Sequence, residues 1–140
     1  MKPLSGRLEI MLWIIGITLF FYADVWGQNW RLYGEDGFAT YYYDTEKIIH
    51  TSKNMVRVWG KVVYTQEGAK GLATRLGREF RGLSFSIELY ELNCTNREVK
   101  ELQRTFFSQR ATYLGEDNNL RWGVVNSGTI QEKLFKAVCK

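Results

Sequence analysis

Histidine occurs once in this chain (His50), proline once (Pro3) and cysteine twice. A metal cage built from Cys and His is therefore nearly excluded, and most nucleophilic triads lack parts. Charge of either sign is sparse in excess. Nineteen Lys+Arg stand against 15 Asp+Glu, a net charge of +4 over 140 residues, so this is not a polybasic protein. No apolar run reaches the roughly 20 residues that cross a bilayer core. What remains is 45% apolar and 24% charged residues, the balance of one small folded domain rather than a disordered or low-complexity chain.

The longest apolar run, Ile10 to Ala23, follows Lys2 and Arg7 and has the length of a secretory h-region. Residues 1–27 are expected to be a signal peptide and residues 28–140 the mature domain. Val25-Trp26-Gly27 supplies an acceptable cleavage site, whereas cutting after Ala23 would put bulky Phe21 at the third-last position. The alternative is an uncleaved N-terminal anchor. No cysteine follows the run, so a lipid anchor is not supported, and after cleavage no stable membrane span is expected. The expected location is periplasmic or secreted, with the cell surface open. Cleavage removes Lys2, Arg7, Glu9 and Asp24, leaving the net charge unchanged. Export favours pairing Cys94 with Cys139 in an oxidising compartment. Such a bond closes a loop of 46 residues, counting both ends, and chain entropy values it at roughly 4 kcal/mol.

Period-two alternation dominates the mature part. Met55 to Tyr64 sets Val56, Val58, Val62 and Tyr64 against Arg57, Trp59 and Lys61. Leu83 to Leu92 alternates more cleanly, with Leu83, Phe85, Ile87 and Leu89 against Ser84, Ser86, Glu88 and Tyr90. Trp30–Tyr33, Thr40–Tyr43 and Glu98–Phe107 read as further strands, the last forming a hairpin through Cys94-Thr95-Asn96. Arg110–Leu114 and Leu120–Val125 read as two more around a turn at residues 115–119. Thr129-x-x-Glu132 is a capping box opening a helix with Ile130, Leu134, Ala137 and Val138 on one face. The expected fold is α+β: an antiparallel sheet of about six strands with one C-terminal helix, which a Cys94–Cys139 disulfide would tie to the sheet. Residues 65–82 carry four glycines and read as a basic loop with a short helical turn at its centre.

The ordered set Trp30-x-x-Tyr33, Tyr42-Tyr43-Asp44, Val58-Trp59, Asn93-Cys94, Trp122, Ser127-Gly128-Thr129-x-x-Glu132 and Val138-Cys139 resembles the surface-adhesin protein E domain of Gram-negative bacteria. The resemblance spans about residues 29–139. It implies a curved antiparallel sheet with its C-terminal helix held by Cys94 and Cys139. It also implies that some members bind host matrix proteins and that some dimerise. The founding type is lipid-anchored; this chain departs from it in having no lipobox cysteine.

Catalysis is not expected, nor is any cofactor. His50 reads as a structural histidine leaving a strand or turn. Glu88 and Glu91, three apart on a strand, point to opposite faces and make no facing pair. Nucleic acid is not an expected partner either, because export separates the chain from it. The same bases suit an anionic extracellular or envelope surface, or an acidic protein. The candidate contact residues are Lys70, Arg75, Arg78 and Arg81 in the basic loop, with Trp59 and Tyr42 as exposed aromatics. Alternatives are a structural or assembly component of the envelope, packing on a partner or its own copy, and a periplasmic small-ligand carrier. The carrier would use a concavity between sheet and helix beside Trp59.

Overall fold

A computed structural model describes residues 29–118 and 122–140. The expected signal peptide lies outside the described residues. In chain order the elements are β1 (Trp30–Glu35), β2 (Ala39–Ser52), β3 (Met55–Tyr64), α1 (Gln66–Leu76), a 3-10 turn (Arg78–Phe80), β4 (Leu83–Asn93), β5 (Glu98–Ser108), β6 (Tyr113–Asp117), β7 (Trp122–Val124) and α2 (Ile130–Val138). Strands β1 to β6 pair in sequence order, all antiparallel, in one curled sheet. The expected sheet and C-terminal helix are both present, and Cys94 and Cys139 are joined with their Cα atoms 5.5 Å apart.

Among the described residues, helices α1 and α2 cover the same face of the sheet, called inner below. Helix α2 opens on the expected cap, with Thr129 Oγ1 accepting from the Glu132 N–H at 3.3 Å, while Glu132 Oε1 accepts from the Gly128 N–H at 3.4 Å, one residue before the cap. It buries Leu134, Phe135 and Val138 against Tyr43, Val58, Leu92 and Val125. A second cluster, Phe80, Leu83 and Phe106, lies under α1. Each buried aliphatic or aromatic side chain contributes about 1.5–3 kcal/mol.

Three local features differ from the sequence reading. Residues 66–76 form a helix, not a loop. Thr65 caps it, accepting from the Gly68 N–H at 3.0 Å, and Ala69, Leu72, Ala73 and Leu76 make an apolar stripe packed on the second cluster. His50 stays within β2, opposite Val56, and is exposed.

The turn expected at 115–119 is also displaced, because Gly115, Glu116 and Asp117 belong to β6. Strands β6 and β7 do not pair as a hairpin. They lie end to end along β5, with β6 against Arg104–Phe107 and β7 against Glu98–Lys100. A side chain at position 115 would meet the Phe80 ring at 2.6 Å, so the 3-10 turn seats on bare β6 backbone.

Strand β4 turns its more polar row inward. Ser86, Glu88 and Leu92 are buried with Val56, Val58 and Val62 beside them, while Phe85, Ile87 and Leu89 are on the outer face. Alternation fixes which residues share a face; the neighbours on β3 and β5 decide which face is inner.

Candidate functional site

The capped helix α1 sorts the four candidate bases. Lys70 from α1, Arg78 from the 3-10 turn and Arg81 just beyond it line one groove of about 590 Å3, floored by Ala69, Ala73 and Leu83. Among the described residues no carboxylate lines this groove, although Glu79 leans against Gly77 at its edge. Arg75 is elsewhere. At 3.6 residues per turn it sits about 140° around the helix from Lys70, and it borders a different cavity on the inner face. The structure therefore brings three of the four bases together and separates the fourth.

Tyr42 and Trp59 share the outer face. Tyr42 is opposite Lys61 on β3, two residues from Trp59, which in turn is opposite Leu89 on β4. Lys61 Nζ lies 5.0 Å from the centre of the Phe85 ring, and Phe85 stacks on Phe107 at 5.1 Å. These side chains, half-buried apart from the buried Phe107, make with exposed Leu32 opposite Tyr42 an apolar outer surface crossed by a lysine. Trp59 does not line the concavity between sheet and helices, which is on the opposite face. Tyr41 and Tyr43 point inward instead. Tyr43 is in the core, and Tyr41 donates from its hydroxyl to Asp36 Oδ2 at 3.0 Å.

Sequence reasoning missed an ionised cluster on the inner face. Glu88 is 2% exposed. Its Oε1 accepts from Ser86 Oγ at 2.8 Å, and Arg104 Nε approaches it to 3.1 Å without hydrogen-bond alignment. Arg104 Nη2 also donates to Glu101 Oε2 at 2.6 Å. Strict alternation would send Glu101 and Arg104 to opposite faces. A bulge in β5 prevents this: Gln103 is opposite Leu89 and Glu101 opposite Tyr90, so Leu102 is the extra residue and both charges point inward. The spacing of three argues against this contact, so the sequence carried no signal for it.

Electrostatics follow from this burial. Desolvation pushes Glu88 up to about 7 against the pull of Arg104, and Glu101 pushes it further. Burial also raises Glu101, again opposed by Arg104. For Arg104 burial disfavours the charge, but the two carboxylates outweigh it and hold the guanidinium protonated. Tyr33 and Tyr64 are both raised, first by burial and then by Glu88. By contrast Glu91, on the outer face, takes Arg57 Nε at 2.8 Å.

Among the described residues no group of three or more His, Cys, Asp or Glu is placed to hold a metal ion. Among them, too, no helix is long and apolar enough to cross a membrane.

Comparison with solved structures finds this fold in Haemophilus influenzae protein E. Two structures of Haemophilus influenzae protein E superpose with TM-scores of 0.55 and 0.54, each at 14% identity over 80% of this chain and 87% or 84% of theirs. A selenomethionine form of the same protein gives 0.51 at 15% identity, over 71% of this chain and 78% of that one. A search of curated proteins finds no match. The sequence profile of the surface-adhesin protein E family matches residues 30–140, every element described above. The chain belongs to the surface-adhesin protein E family.

Proposed function

We propose that this chain is an exported bacterial envelope binding protein that acts by non-catalytic contact with protein or anionic surface partners. The observation that carries the reading is the convergence of Lys70, Arg78 and Arg81 on one groove whose lining, among the described residues, holds no carboxylate. Three bases on a low-dielectric wall attract sulfate, phosphate or carboxylate groups at long range, and salt weakens that attraction. The second contact surface is the outer face around Tyr42 and Trp59, where aromatic rings supply area at little entropic cost. Family membership supports the reading as a surface binding protein.

Immobilised heparin, a sulfated polysaccharide, is a direct probe. The Lys70→Ala/Arg78→Ala/Arg81→Ala variant is expected to elute at markedly lower salt than the unsubstituted protein. Arg75→Ala, on the other flank of α1, is expected to elute close to it. Equal elution of the triple variant and the unsubstituted protein would remove the groove from the proposal.

A further inference from the structure

Between α1 and α2 the inner face of the sheet encloses a cavity of about 380 Å3, within the range of roughly 300–1,000 Å3 typical of small-ligand sites. Its charges do not balance. Glu88 and Glu101 share a single guanidinium, Arg104, through contacts of 3.1 and 2.6 Å. The two other ionised groups at the rim, Asp36 and Arg75, offset one another. Among the described residues one negative charge is left over, and Glu101 Oε1 is buried with no hydrogen-bond partner among them. A buried carboxylate oxygen in this state is costly unless something donates to it. The walls are aromatic and aliphatic: Tyr33, Tyr41 and Tyr64 on the sheet side, with Leu72 from α1 and Leu134 from α2.

We propose that this cavity binds a small organic cation, an amine or guanidinium on a short apolar stem, with its N–H groups donating to Glu101 and Glu88. The tyrosine rings favour a diffuse cation over a hard metal ion, which would demand six or more oxygen ligands. The site differs in position and in charge from the basic groove, so it does not rest on the adhesive reading.

Proton and cation compete for the same surplus charge. The groups facing Glu88 are Tyr33 on β1, Asp36 in the following turn, Tyr41 on β2, Tyr64 on β3, Glu101 and Arg104 on β5 and Arg75 on α1. Helix α2 presents Ile130, Gln131 and Leu134, none ionisable. Glu88 takes its proton near pH 7, so the ligand is held about tenfold more weakly at pH 6 than at pH 8.5.

Calorimetric titration with agmatine, which carries a guanidinium and an amine on four carbons, tests the proposal, with butyrate as the anionic control. Saturable binding at pH 8.5, weakened about tenfold at pH 6 and absent for butyrate, is expected. Glu101→Gln removes the surplus charge, and Leu72→Trp fills the cavity from α1. Each is expected to weaken agmatine binding at least about tenfold, with Leu72→Trp deciding if Glu101→Gln fails to fold. Lys70→Ala, in the basic groove, is expected to leave it unchanged. No saturation below about 10 mM, binding indifferent to pH, or unweakened binding by Leu72→Trp would overturn the assignment.

Discussion

Two glycines three residues apart in α1 should respond to the same substitution with opposite signs. Replacing a solvent-facing helical glycine with alanine ordinarily stabilises by about 0.5–1 kcal/mol, because glycine loses more backbone entropy on folding. Gly71 meets that condition: it is exposed, and an added Cβ would find nothing within 4 Å. Gly68 does not. A Cβ there would lie 2.1 Å from the Phe38 carbonyl oxygen and 2.9 Å from its carbon. That carbonyl is fixed, since it accepts from the Thr65 N–H at 2.9 Å and from Thr65 Oγ1 at 3.2 Å. Relief requires moving the helix off the β1–β2 turn by about 1 Å, and overpacking of this kind costs roughly 1–3 kcal/mol, more than the propensity gain. Gly71→Ala should therefore raise the urea midpoint and Gly68→Ala lower it. Both substitutions share the propensity gain, so the unfolding free energies should differ by the overpacking cost, about 1–3 kcal/mol, with unchanged denaturant slopes. Equal midpoints would mean that α1 does not dock on Phe38, and the basic groove would lose its frame.

The Cys94→Ser/Cys139→Ser variant should lose about 4 kcal/mol, the chain-entropy value for a separation of 45 residues. A loss below about 1 kcal/mol in denaturant titration would show that packing alone holds α2. Glu88 gives a pH dependence whose sign follows from its elevated folded value. Its favourable contribution is complete below about 4.5, the ordinary value, and disappears as pH rises through about 7. Stability should therefore fall across that window, by roughly 3 kcal/mol at most for this group. Glu88→Gln should flatten the profile between pH 5 and 7, and an unchanged slope in that variant would assign the dependence elsewhere.

The sheet and α2 were legible because their signals are local. Met55–Tyr64 alternates in a run of strong β-formers, and Thr129-x-x-Glu132 marks a helix start through its side-chain cap. Helix α1 was not legible because its four-glycine neighbourhood depresses propensity, while its stability comes from Ala69, Leu72 and Ala73 meeting Phe80 and Phe106. The grouping of Lys70, Arg78 and Arg81, and the exclusion of Arg75, depend on that helix and were hidden with it. The Glu88–Arg104–Glu101 cluster was hidden for a different reason. Period two forbids Glu101 and Arg104 from sharing a face, and only the bulge at Leu102 lifts the prohibition.

The end-to-end placement of β6 and β7 along β5 bears on how the protein tolerates its own concentration. An open sheet ordinarily has two lateral margins able to recruit a foreign strand, the first step toward fibrils. Here one margin is divided between two short strands of five and three residues. The other is the six-residue β1, kinked at Tyr33 where its register slips and shielded at Gly34 by Ile130 and Lys133. Neither offers a long straight ladder, so crowding should yield reversible face-to-face association in preference to amyloid-like polymer.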